Sequence, residues 1–158
     1  LFRSDGYKLT KAGHRLSNEK ITARNLKPGK YELRIDGTGV GTFTEGQLAF
    51  GVELEANEKT PQYQQALQVA TLNKERNDKA VRPLRNLWGQ MKGKRGEINK
   101  AVAANAPDLA DKQAAFAKWS EEFKANVAKQ HAMAKDFEEQ IYKANQPQPR
   151  KYELMRVD

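Results

Sequence analysis

The segment from Asp108 to Asn145 contains neither Gly nor Pro, and it carries Leu109, Phe116, Trp119, Phe123, Val127, Ala134, Phe137 and Ile141 at helical spacing. Uninterrupted apolar recurrence of this kind specifies one amphipathic helix. At about 1.5 Å per residue it spans roughly 55 Å, too long for a small sheet to cover. A second helix of similar length is therefore required to bury its apolar face.

That partner lies upstream. Thr60-Pro61 is a helix start, because the Thr hydroxyl caps free N–H groups and Pro at the first helical position sacrifices none. Behind it run Tyr63, Leu67, Ala70, Val81, Leu84, Trp88, Met91, Ile98 and Val102, close to a 3.5-residue period that continues through polar Lys74, Asn77 and Arg95. Pro83 predicts a kink or break near Lys79 to Arg82, and Gly89, Gly93 and Gly96 lower helix propensity further on. Asn105-Ala106-Pro107-Asp108 marks the boundary between the two helices. They are expected to pack as an antiparallel hairpin over residues 60–145.

Residues 20–59 alternate with period two: Ile21 and Ala23, then Tyr31, Leu33 and Ile35, then Val40, then Val52 and Leu54. Lys27-Pro28-Gly29 and Asp36-Gly37 supply turns, and Thr44 to Ala49 can form a single helical turn. After the hairpin, Gln146-Pro147-Gln148-Pro149 cannot continue a helix, so residues 146–158 are expected to return to the β-module as a strand through Tyr152, Leu154 and Val157. The fold class is thus α+β: a small antiparallel β-sheet domain with a long antiparallel two-helix arm and a C-terminal return strand.

Composition narrows the function. The 158 residues are 38% apolar and 30% charged, and no apolar run approaches the roughly 18 residues of a membrane span. The absence of Cys excludes disulfides, thiolate catalysis and Cys-based zinc sites, and leaves the compartment open. Leu1 is not expected to be the natural start, since no initiator Met or leader pattern precedes it. The net charge of +8 is unevenly placed: nine Lys/Arg against Glu75, Asp78 and Glu97 between Lys74 and Lys100, but near balance from Asp108 to Lys143. A solvated face, or one that docks to an acidic neighbour, is favoured over a nucleic-acid site.

The first residues, Leu1 to His14, contain Asp5-Gly6-Tyr7-Lys8-Leu9-Thr10 and then Gly13. This block resembles the last conserved block of SGNH/GDSL hydrolases, an Asp-x-x-His step followed by Leu-Thr or Pro-Asn and a later Gly. Asn25 to Gly37 is similar to the small β-module that follows the catalytic domain in planctomycete-type members, with its Leu-x-x-Gly-x-Tyr-x-Leu-x-Ile-Asp-Gly pattern. Gly51-Val52-Glu53-Leu54, Thr60-Pro61, Lys74-Glu75-Arg76-Asn77, Arg85 and the Pro147-x-Pro149-x-x-Tyr152-Glu153-Leu154 tail extend the likeness over nearly the whole chain.

The resemblance implies that residues 1–19 are a remnant of that catalytic block. In the family, the Asp orients a His that serves as base for a Ser far upstream. Asp5 matches the Asp, whereas Lys8 stands where the His belongs. A Lys, with a reference pKa of about 10.4, is protonated at neutral pH and cannot accept the Ser proton unless strongly desolvated. The Ser block and the oxyanion donors are missing from the chain as well. Asp5 reads equally as a turn residue, and Lys8 as a surface cation beside it.

Other motifs carry no site. Gly37-Thr38-Gly39-Val40-Gly41 has the wrong spacing for a dinucleotide loop and reads as a tight strand connection. His14 and His131 have no ligand constellation, so no metal and no cofactor is expected. Trp88, Phe116, Trp119 and Phe123 could stack on a sugar, although their spacing assigns them first to the core. Asn77, Arg82 and Arg85 are the candidate binding residues, lying near Pro83 where polar groups need partners. Taken together, the expectation is an accessory, interaction-mediating C-terminal part of an SGNH-like protein, secreted or periplasmic by resemblance alone, with hydrolysis residing in an upstream domain. The alternative is a stand-alone helical hairpin that binds a protein or polyanion.

Overall fold

The computed structural model describes residues 19–157. Its elements run β1 (Lys20–Ile21), β2 (Lys30–Ile35), β3 (Thr38–Thr44), α1 (Glu45–Phe50), β4 (Val52–Glu53), α2 (Pro61–Arg76), a π turn (Asn77–Val81), α3 (Arg82–Ala103), α4 (Leu109–Ala144) and β5 (Tyr152–Arg156). The class is α+β, with small antiparallel sheets, a long helical hairpin and a C-terminal return strand. Among the described residues two compact units result: residues 19–67 together with 147–157, and Gln68–Gln146.

In the first unit the strands form two sheets rather than one. β1 pairs with β4, and a three-stranded antiparallel sheet has the order β3-β2-β5. Alternation places Tyr31, Leu33 and Ile35 on the buried face of β2, while Glu32 and Arg34 share the other face and pair at 2.8 Å. Leu33, Ile35, Val40 and Leu54 form the core, with Ile21, Phe43, Val52 and Leu154 packed against it. The expected strand through Ala23 stops at Ile21, and the Ala23 N–H donates instead to the Leu48 carbonyl at 3.0 Å. Likewise, Leu54 follows β4 as a buried residue outside it.

Asp36-Gly37 makes the β2–β3 turn. Both residues have positive φ, +51° and +80°, the two-residue type I′ connection whose twist suits a hairpin. The turn then does a second job. The Asp36 carboxylate accepts the Lys151 N–H at 2.8 Å and an Arg150 guanidinium N–H at 3.0 Å, and its own N–H donates to the Lys151 carbonyl. Arg150 also donates to Gln65 at 2.8 Å, so the strand return is fixed to the hairpin turn and to α2.

Within the β2–β3 ladder, Leu33 pairs with Gly41 and Arg34 with Gly39, which leaves Val40 as an extra residue. A bulge of this kind strands a carbonyl. Asn57 meets it: the Asn57 side chain donates to the Val40 carbonyl at 2.7 Å and accepts the Lys59 N–H at 3.0 Å. The Asn57 carbonyl in turn accepts the hydroxyl of buried Thr60, and Thr60 Oγ1 accepts the Tyr63 N–H at 3.2 Å as the cap of α2. Thr44 and Gln47 form a reciprocal capping box at α1, which ends at Gly51 with φ +111°, a region essentially restricted to Gly.

In the second unit, the helix does not break at Pro83. No residue between Pro61 and Ala103 leaves helical conformation; instead the Arg82 N–H reaches back five residues to the Asn77 carbonyl in the π turn. Pro83 thereby becomes the second residue of α3, where its missing N–H costs nothing. α3 and α4 pack antiparallel, with Ala80, Ala101, Phe123 and Phe137 buried between them. Among the described residues no helix is long and apolar enough to cross a membrane.

Two outcomes are expected. Asn57→Ala leaves the Val40 carbonyl unmet and should cost about 1–3 kcal/mol in urea unfolding. For Asp36, the Lys151 N–H first and Arg150 second hold the carboxyl below its ordinary value. A folded value below the unfolded one means stability that is present above the ordinary Asp pKa of about 3.9 and is lost as pH falls through the folded value. Thermal melts on acidification below about pH 4 should therefore fall more steeply for the native chain than for Asp36→Asn.

Candidate functional site

Of the binding residues expected near Pro83, Asn77 and Arg82 meet at Asp78, and Arg85 stands apart. Asp78, in the π turn, accepts Lys74 and Arg82, each at 2.8 Å, while Asn77 Nδ2 lies 3.5 Å from the same carboxylate. The Lys74 hydrogen bond first, then the charges of Lys74 and Arg82 and the Asn77 contact, lower the Asp78 pKa against a desolvation that raises it. Arg82 is thus committed to a neighbour on its own helix. Arg85 is exposed and has no carboxylate within ion-pair distance among the described residues. Asp78 is the organising residue that the sequence reading passed over, although Lys74, Asp78 and Arg82 stand at i, i+4, i+8.

At the same level Arg76 pairs with Glu138 and ties the two strands of the hairpin together, while Lys79 pairs with Glu75 at 2.7 Å and lies 5.8 Å over the Phe137 ring. The remaining aromatics form a ladder. Phe116 and Trp119 have centroids 6.0 Å apart, Trp119 and Phe123 5.3 Å, and Trp88 meets Phe123 edge-on at 5.1 Å. Lys94 sits 5.1 Å over Trp119. Rings that pack on one another in this way serve the hairpin interior first, and Phe123 is buried. Trp88 is the exception, at 53% exposed.

The first unit holds a shallow pocket of about 240 Å³ lined by Glu19, Lys20, Ile21, Thr22, Leu54 and Tyr152. Its polar side is a triangle: Gln62 Nε2 donates to Glu19 at 2.8 Å and to the Tyr152 hydroxyl at 2.6 Å, and that hydroxyl donates to Glu19 at 3.3 Å. Desolvation, then the nearby Glu19 charge and hydrogen bond, push the Tyr152 phenol above its ordinary value. A phenol so placed is a hydrogen-bond donor rather than a phenolate base or nucleophile.

Asp5, Lys8 and His14 lie outside the described residues. Among the described residues, no group of three or more His, Cys, Asp or Glu side chains is placed to hold a metal ion.

The chain matches no protein-family model and no curated protein. Its fold is similar to that of a gut microbial diltiazem-metabolizing enzyme over 98% of this chain, with a TM-score of 0.68 and 24% sequence identity. The chain spans 38% of the length of that enzyme. The likeness is one of fold: a β-module and long helical hairpin of this kind also form part of a larger polypeptide.

Proposed function

We propose that this chain is the accessory, non-catalytic C-terminal part of an SGNH/GDSL-type hydrolase-like protein, with any ester hydrolysis performed by an upstream domain. The observation that carries the reading is the whole-chain likeness to 38% of a larger protein named as an enzyme. Two features support it. The block from Asp5 to Gly13 resembles the end of the family's catalytic domain, and it leads directly into a β-module with the family's spacing. The polar pocket of the described residues offers a protonated phenol hydrogen-bonded to Glu19.

In this proposal the β-module follows the catalytic domain in the chain, and the hairpin mediates interaction. Secretion or a periplasmic location belongs to the same proposal, through the resemblance alone. The rival, a hairpin working by itself as a binding module, draws on the exposed cations of α3.

The test is to treat the native polypeptide with a fluorophosphonate, which tags an activated Ser covalently, and to measure its intact mass and the site of the tag. A polypeptide longer than this chain, tagged once outside these 158 residues, is expected, and the isolated chain should not hydrolyse p-nitrophenyl acetate. Hydrolysis by the isolated chain that Asp5→Ala abolishes would overturn the accessory reading. So would a native mass of 17.9 kDa. A longer polypeptide that takes no tag would remove hydrolysis from the proposal.

A further inference from the structure

The sequence places Trp88 and Val102 in one stripe with Leu84, Met91 and Ile98, but the structure divides them. Leu84, Met91 and Ile98 are half-buried, and a second line, Ala80, Leu87, Lys94 and Ala101, is buried or half-buried beside them. These two lines, each with the seven-residue recurrence of two helical turns, form the seam against α4. Trp88, Arg95 and Val102 lie one position beyond that seam, also seven residues apart. Trp88 is 53% and Val102 48% exposed, and Arg95 is exposed between them.

Next to this flank, Arg85 and Lys92 stand on the adjoining line, with Lys100 further round. α3 carries Arg82, Arg85, Lys92, Lys94, Arg95 and Lys100 against the single acid Glu97. Arg82 is spent on Asp78 and Lys94 lies over Trp119. No carboxylate lies within ion-pair distance of Arg85, Lys92, Arg95 or Lys100 among the described residues. By contrast, the cations at the start of the arm are paired: Lys74 with Asp78, Arg76 with Glu138, Lys79 with Glu75.

We infer that this flank of α3 is a docking surface for an acidic amphipathic helix of a partner protein, which would lie along Trp88, Arg95 and Val102 as a third helix with its carboxylates over Arg85 and Lys92. Two properties select this occupant. Trp and Arg side by side on an exposed flank are the residue types that anchor protein interfaces. The exposed Trp88 and Val102 beside those cations fit the apolar face of an amphipathic helix, whereas a nucleic acid needs cations only. The inference is independent of whether the chain belongs to a hydrolase-like protein, and it is read out by binding rather than by chemistry.

The probe is a fluorescein-labelled three-heptad peptide with Leu at its a and d positions and Glu at the flanking ones, followed by anisotropy against the whole chain. Binding is expected at about 50 mM salt and should weaken about tenfold or more by about 500 mM, because exposed charges are screened. Arg85→Glu/Lys92→Glu/Arg95→Glu should weaken it at least about tenfold. The matched variant Lys118→Glu/Lys129→Glu/Lys135→Glu, with the same change in net charge on α4, should bind like the native chain. Trp88→Ala should weaken binding at both salt concentrations, with circular dichroism confirming that the hairpin is intact. Equal loss in the two triple variants would reduce the effect to net charge and overturn the inference. Absence of binding at low salt would do the same, as would tighter binding of a duplex DNA than of the peptide.

Discussion

The first unit depends on β2 being paired along both edges. β3 follows it through a two-residue turn, whereas β5 comes from the far end of the chain and aligns Ile35 with Tyr152, Leu33 with Leu154 and Tyr31 with Arg156. Leu33 and Ile35 are completely buried because both neighbours are in place. Closing so long a segment is less costly than its length suggests: each doubling of a loop adds only about 0.6 kcal/mol. A helical hairpin, which returns the chain by its own internal packing, can therefore occupy the gap between β-module and return strand. The contacts of Asp36 with Lys151 and Arg150 fix the register at the point where that return begins.

Those parts whose physics is periodic were legible in the sequence. The alternation of Tyr31, Leu33 and Ile35, the Asp36-Gly37 turn, the Thr60-Pro61 cap and the uninterrupted α4 each follow from a local rule, and the structure has them all. What escaped was compensation between distant groups. Nothing local marks Val40 as a bulge, or says that Asn57 will supply its missing hydrogen bond. The kink or break expected near Lys79 to Arg82 takes the form of the π turn over Asn77–Val81, where the Arg82-to-Asn77 bond shifts the register so that Pro83 falls where no N–H is needed.

The candidate site was less legible, for a different reason. Asn77, Arg82 and Arg85 are close in sequence, and a sequence has no means of saying which cation Asp78 will take; helical i, i+4 geometry assigns it Lys74 and Arg82 and leaves Arg85 alone. The aromatic spacing of the first helix likewise hid two overlapping seven-residue lines. Lys94 belongs to the inner line despite its charge, because its ammonium lies over the Trp119 ring as a cation–π contact. A hydrophobicity pattern counts such a lysine as outside.

A layer of two helices has a geometric consequence. Each helix presents one seam to the other, so a line at its margin stays partly exposed: Trp88 meets Phe123 by an edge yet is 53% exposed, and Val102 is 48% exposed. Charge along the arm follows a parallel division. Exposed ion pairs contribute little stability, so leaving Arg85, Lys92 and Arg95 unpaired costs the fold almost nothing. Their lack of carboxylates leaves a positive field on the same flank as the uncovered Trp88, whereas the compensated cations lie around the π turn. Apolar exposure and uncompensated charge coincide on one flank of α3. On α4, Lys112 pairs with Asp108 and Lys124 with Glu121, and the other cations are interspersed with Asp111, Glu122, Asp136 and Glu139 rather than gathered on one flank.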